Sequence, residues 1–340
     1  MKTALITTTI NVPTVLALYR KLGPSGKFFV AADHKTPREA YEFCADIPDC
    51  EIYSPERQKE CGYECSELLG WSTITRRNIA LLEALKWGAE LIVTIDDDNI
   101  PCGVLKAGAF VGFHDIFEVG KNWHGLQTNG LRGWFDPGNL LVPQIKHRGY
   151  PSSVLSTGSI VPITDARIGV AEGLIIGDAD MDAVTRIASH PAAYGVSEVG
   201  RAGVVVDPRK TWTVFNTQNT AYLRELAPAM GCFPQLGRYD DIYASLLTQK
   251  IMRTRGLCVH FGQPLVWQER NAHDLLKDLA AEKWGAEHIL EFVDYLERTP
   301  IQGIHSVTDD CRDLMANCPI FSDDLKEVAE AWYNDVERVL

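Results

Sequence analysis

The 340-residue sequence has no apolar run approaching the roughly 20 residues that a membrane-spanning helix needs. Its start, MKTALITTTINVPTVLALYRK, lacks the long apolar core of a secretory signal. Positive charge is in deficit, with a formal net charge of −12. That excludes a broad electrostatic footprint for nucleic acid. An anionic substrate must then be met by a local device: a metal ion, a few arginines or a helix N-terminus. The nine cysteines are odd in number and scattered, and the nearest pair, Cys61 and Cys65, has no second pair at zinc-ribbon spacing. Free thiols in a reducing compartment are the simplest reading, and the expectation is a cytoplasmic protein without membrane insertion. Internal repeats and low-complexity linkers are also missing. What is present is 46% hydrophobic and 23% charged residues, enough for one large α/β domain with additions or two small domains.

Strand and helix patterns alternate through the first hundred residues. Ala4–Thr9 and Lys27–Ala32 read as strands, with helices expected from Pro13 to Lys21 and from Thr36 to Cys44. Ser72–Trp87 reads as a helix closed by Gly88, and Leu91–Ile95, LIVTI, as a buried central strand. This order predicts a parallel sheet covered by helices. From about Gly130 to Asn216 the Gly- and Pro-rich sequence reads as loops and an additional small sheet. Asp240–Arg255 reads as a helix with Ile242, Leu246, Leu247 and Ile251 on its apolar stripe, and residues 274–340 as further helices.

Asp96-Asp97-Asp98 follows the LIVTI strand directly. In extended chain Asp96 and Asp98 point the same way, so both can hold one Mg²⁺ or Mn²⁺ ion together with substrate phosphates. The competing reading is a polar turn after a strand. Arg76 and Arg77 lie near a helix N-terminus, where the helix dipole disfavours cations. Either a diphosphate relieves that conflict or the pair faces acidic loops. Asp240 and Asp241 open a helix, where acids serve as caps or as site carboxylates.

Several blocks together resemble the reversibly glycosylated polypeptides of plants, a family that includes UDP-arabinopyranose mutases. They are TIDDDN (94–99), HRGYPSS (147–153) and GRYDDIYASLLTQKIM (237–252), with Asn219 and Pro228-Ala229-Met230 just before the last. Similarity spans roughly residues 70–300 and is dense only in the blocks. The segment GDADMDAVTRI (177–187) is also similar to a Golgi-associated plant glycosyltransferase-like family related to the first. The chain departs from the first family in a shorter segment after RGYP. It also has Trp267-Gln268 where the family has a tyrosine–histidine step near the metal.

The resemblance implies a GT-A fold: a mixed α/β sheet flanked by helices, with a catalytic domain over residues 1–270 and a helical extension over 271–340. It further implies a nucleotide sugar ligand of the UDP type and a Mn²⁺ or Mg²⁺ ion on Asp96 and Asp98, with His260 or His273 as the third ligand. Arg148 takes the place of the arginine that the family glycosylates reversibly, with Asp240 and Asp241 as site carboxylates. A phosphate clamp is the alternative role for Arg148. Thr8, Asn11 and Asp33 are expected along the nucleotide pocket with Arg76, Arg77, Asp96, Asp97 and Asn219. Asp180 and Asp182 would hold sugar hydroxyls or pair locally with Arg186. Three functions stay open: a UDP-sugar mutase that glycosylates itself, a glycosyltransferase with a separate acceptor, and a non-catalytic sugar-nucleotide-binding subunit. A homo-oligomer built through the helical tail is compatible with all three.

Overall fold

A computed structural model describes residues 1–340 except 24, 103–113, 118–122, 128–132, 157, 164, 270–273 and 302. The first part of the chain alternates as the sequence predicts: β1 (Thr3–Thr9), α1 (Val15–Leu22), β2 (Lys27–Ala32), α2 (Arg38–Ala45), β3 (Cys50–Tyr53), α3 (Pro55–Glu60), α4 (Cys65–Leu68), α5 (Arg77–Trp87) and β4 (Leu91–Ile95). The middle carries β5 (Asn99–Cys102), β6 (Trp123–Gln127), β7 (Gly133–Phe135), β8 (Leu141–Val142), β9 (Ser159–Ile163), β10 (Arg167–Gly177), α6 (Ala183–Ala188), β11 (Gly195–Val196), α7 (Glu198–Ala202), β12 (Val204–Val206) and β13 (Thr211–Thr213). Then follow β14 (Asn219–Leu223), α8 (Asp240–Arg255), β15 (Leu257–Gln268), α9 (Leu275–Arg298), α10 (Val307–Ala316) and α11 (Asp323–Val339).

One mixed sheet dominates, in the order β3-β2-β1-β4-β14-β10-β15-β12-β6-β9, with β5 paired to β15. The strands β3, β2, β1 and β4 are parallel, and β14 runs antiparallel to β4. The order reverses at β1, because β2 lies on one side of it and β4 on the other. Ligands of open α/β sheets bind beyond the carboxyl ends of the strands at such a reversal. Alternate residues of the strands feed two apolar cores. Ile6, Phe29 and Ile92 face one with α5, α8 and the C-terminal helices, whereas Leu5, Phe28 and Val93 face the other with α1. This is the mixed sheet flanked by helices, with a helical C-terminus, that the GT-A expectation describes.

Strands β2 and β4 and helix α8 have the bounds expected from sequence. Two expectations are corrected. The stretch 130–216 does not form only loops and a small added sheet, since β10 is a central strand of the main sheet, with β14 and β15 beside it. Its glycines read as loop, but Gly173 allows strand backbones to approach, and a Cβ there would run into the Pro264 carbonyl and the Asn219 amide. The 72–87 helix starts later than expected, with a 3₁₀ turn over Ile74–Arg76 before α5.

The C-terminal helices are tied to the rest by buried contacts. Trp332 Nε1 donates to the Pro228 carbonyl at 2.9 Å, and Asp335 accepts the Glu64 and Cys65 N–H groups at 3.0 and 2.8 Å. Gly237 has a φ of +58° and sits against the Ala281 carbonyl of α9. The boundary expected at 270 lies outside the described residues. No helix among the described residues is long and apolar enough to cross a membrane.

Candidate active site

The carboxyl ends of β1, β2 and β4 deliver Thr8, Asp33 and the Asp96–Asp98 triplet to one cavity of about 230 Å³, also lined by Lys35, Ser72, Thr73, Ile74 and Arg77. A second cavity of about 210 Å³ shares Ile74, Asp96 and Asp98 with the first. Its other walls are Arg148, Thr217, Gln218, Gly237, Arg238, Asp240, Asp241 and Gln268. The aspartate triplet therefore forms a ridge between two hollows, one toward the parallel strands and one toward the N-terminus of α8.

The residues of the first cavity are firmly held. Asp33 Oδ2 accepts the Ser72 N–H at 2.7 Å, so this carboxylate shapes the cavity by bracing its loop. Thr8 Oγ1 donates to the Ala31 carbonyl at 2.7 Å, and Thr9 Oγ1 donates to Asp97. Burial raises the Asp97 carboxyl above its ordinary value, against the Thr9 hydrogen bond. Arg77 bonds Asp96 and also donates to the Thr217 carbonyl at 2.8 Å. The conflict between a cation and the α5 N-terminus is thus resolved inside the protein.

The second cavity is built around Arg148, which is 5% exposed. Nε and Nη2 donate to Asp180 at 2.9 and 3.0 Å, and Nη1 and Nη2 donate to Asp241 at 2.9 Å each. Nη1 also donates to the Arg238 carbonyl, so all five N–H donors are engaged. Burial opposes the charged guanidinium, but Asp180 and Asp241 outweigh it and raise Arg148 well above its ordinary value. Asp241 also accepts the Thr217 N–H at 3.2 Å, and neither Asp240 nor Asp241 acts as a helix N-cap for α8. Burial, followed by the neighbouring Asp241, pushes Asp240 up to about 7.

Behind Arg148 lies a network that the sequence reading missed. Asn216 Nδ2 donates to Glu172 at 3.2 Å and to Asp180 at 3.1 Å, and its Oδ1 accepts the Gln218 N–H at 2.9 Å. His147 Nδ1 donates to the Arg148 carbonyl at 2.7 Å, and Nε2 faces Glu172 at 3.4 Å. Asn216 Nδ2 also lies 3.3 Å from Nε2, and the carboxylates around the ring favour its imidazolium form. Burial opposes that charge, yet Glu172, with Asp180 and Asp136 behind it, raises His147 to about 9. A lone glutamate in the apolar run VAEGLII was the available signal for this network.

Several sequence candidates lie elsewhere or serve other ends. Arg76 is fully buried, bonds Gln58 and Ser66, and lies on the Trp71 ring at 4.0 Å. It lines neither cavity. Asn219 is fully buried and donates to the Pro264 carbonyl at 2.9 Å inside the sheet. Asn11 is exposed and outside both cavity linings; its carbonyl accepts from Thr9 Oγ1 at 2.8 Å and its N–H donates to the same oxygen at 3.0 Å. Asp182 caps α6 through the Thr185 N–H at 2.6 Å, and Arg186 pairs with Asp178, while Asp180 pairs with Arg148. His260 belongs to β15, eight residues before Gln268, packed on Trp123 with a ring separation of 4.8 Å and against Gly203. The paired strand β10 covers that span in six residues, Ala171 to Gly177, so His260 lies roughly 20 Å along the sheet from Gln268, too far to share an ion with Asp98 beside Gln268. His273 lies outside the described residues.

The donor chemistry at the ridge suits a hard divalent cation. Four carboxyl groups (Asp96, Asp98, Asp240, Asp241) and two guanidiniums (Arg148, Arg238) line the second cavity, with Arg77 paired to Asp96 from the first. The described residues hold no cage of three or more His, Cys, Asp or Glu side chains. Two carboxylates with phosphate and water filling the remaining positions is the arrangement usual for Mg²⁺.

A family model described as STELLO glycosyltransferases matches residues 238–339, under a third of the chain. It begins at Arg238, takes in Asp240, Asp241 and Gln268, and continues through the C-terminal helices. No curated protein matches the chain. The match supports the glycosyltransferase part of the sequence expectation and carries no argument for the mutase part.

Proposed function

We propose that this chain is a glycosyltransferase that draws on a nucleotide sugar, and that it moves the sugar to a separate acceptor hydroxyl. The observation that carries this reading is the Asp96–Asp98 ridge shared by two cavities, one at the carboxyl ends of β1, β2 and β4 and one lined largely by polar side chains.

The nucleoside lies in the first cavity, between the loop braced by Asp33 and the end of β1. The diphosphate lies at the ridge, where Asp96 and Asp98 would hold Mn²⁺ or Mg²⁺. When bound, that ion supplies Lewis-acid stabilisation of charge on the departing diphosphate. The sugar and the acceptor occupy the second cavity, within reach of Gln218, Gln268 and Arg238. Asp240 takes the acceptor's proton. Its carboxyl titrates at about 7, near the value that general-base catalysis at neutral pH favours. Arg148 acts as a fixed cation. A guanidinium with all five donors engaged and its proton held by two carboxylates is a poor nucleophile. For that reason the transferase is preferred to self-glycosylation on Arg148 and a mutase reaction.

The test is incubation of the purified protein with Mn²⁺ and a panel of radiolabelled UDP-sugars, with and without candidate carbohydrate acceptors. Acceptor-dependent UDP release supports the transferase. Label retained on the protein but lost in Arg148→Ala supports the mutase reading in its place. Binding without turnover across a broad acceptor panel points to a non-catalytic subunit.

A further inference from the structure

We infer that Gln268 and Gln218 complete an all-oxygen cation site with Asp96 and Asp98. This rests on the reading that those aspartates hold a divalent ion, and it replaces the expected histidine with two amide oxygens. Gln268 and Gln218 are 3% and 7% exposed and line the same cavity as both aspartates. The Oε1 atom of each is buried without a hydrogen-bond partner. Asn99, Asn219 and Gln263 also carry unpartnered amide oxygens among the described residues, but of these five side chains it is Gln218 and Gln268 that line the cavity with the two aspartates. Gln218 brings its unbonded oxygen and Gln268 an amide that faces Asp98 through nitrogen, where a cation or the water it carries can be met.

Their placement is fixed by the sheet. The Gln218 carbonyl accepts the Asp96 N–H at 3.1 Å, which sets this residue opposite the first aspartate. Gln268 pairs in register with Asn99, so it faces the segment that follows the triplet. Its Nε2 lies 3.3 Å from Asp98 Oδ1. A half-turn of the amide exchanges nitrogen and oxygen and puts Oε1 in that place. Oxygens on adjacent corners of an octahedral shell with metal–oxygen distances of about 2.1 Å stand about 3 Å apart, close to this separation. The described residues around the cavity include neither thiol nor imidazole. Two carboxylates and two amide oxygens form a hard, oxygen-only set suited to Mg²⁺ or Mn²⁺.

The test is titration of the intact protein with Mn²⁺, alone and with UDP, reading free Mn²⁺ by electron paramagnetic resonance. Gln268→Ala and Gln218→Ala should each weaken Mn²⁺ binding by roughly tenfold or more, with thermal unfolding in the absence of metal unchanged. Gln268→Glu should retain or tighten it. Gln268→His should raise affinity for Zn²⁺ relative to Mn²⁺ by roughly tenfold, since imidazole suits zinc. Unaltered Mn²⁺ affinity in both alanine variants would overturn the ligand assignment while leaving the aspartate site standing. If the alanine variants fail to fold, unshifted metal preference in Gln268→His overturns it equally. A wild-type protein that binds no Mn²⁺ with or without UDP would overturn the underlying reading as well.

Discussion

Asp240 and Asp241 are neighbours in sequence with different work. Asp241 spends both oxygens on Arg148 and the Thr217 N–H, whereas Asp240 accepts the Asp241 N–H and faces the cavity. Replacing Asp240 by Asn should cut turnover by about 10²–10⁴-fold while leaving UDP binding intact. Wild-type activity should rise as pH passes through about 7, and the variant should lose that inflection. Steady-state rates and UDP titration across pH measure both. His147 gives a second prediction, on stability. The folded protein keeps the imidazolium proton up to about 9, and the unfolded chain releases it near 6.5. Between those values the folded state binds more protons, so stability falls as pH rises. The contribution is fully present below 6.5 and lost by about 9. Denaturant unfolding at several pH values should show this decline, and His147→Gln should flatten it.

At the scale of elements, the close approach of β10, β14 and β15 is what brings Gln218 and Gln268 to the triplet. Gly173→Ala should therefore destabilise by about 1–3 kcal/mol in urea unfolding, because a Cβ there meets backbone and a buried amide. Asp335→Ala should cost about 0.5–2 kcal/mol by leaving the Glu64 and Cys65 N–H groups unbonded. The parallel half of the sheet was legible in the sequence because LIVTI and KFFVAA are short, mostly apolar runs rich in strand-forming residues, as buried parallel strands are. Strand β10 was not, because its glycines and Glu172 imitate a loop. The aspartate ridge was legible from placement after β4. The partners of Arg148 were only half legible: Asp241 sits in a recognisable block, but Asp180 comes from a segment whose local pattern suggested a pair with Arg186. The burial of Arg76 depends on Gln58 and Ser66, which nothing in the local sequence announces.

Across the whole molecule, the C-terminal helices belong to the architecture of the site. Glu282 of α9 accepts from Arg238 at 3.1 Å and from the Ala183 N–H at 2.7 Å, linking the wall of the second cavity to α6. The family match, which runs from Arg238 to residue 339, takes in Arg238 and Glu282 of this connection but not α6. The account stands on a nucleotide diphosphate being held at the Asp96–Asp98 ridge through a divalent ion, and calorimetric titration of UDP with and without Mn²⁺ tests that most directly. The predicted result is UDP binding that requires Mn²⁺ in the wild type and disappears in Asp98→Asn. Equal binding by Asp98→Asn, or no binding by the wild type in the presence of Mn²⁺, would contradict it.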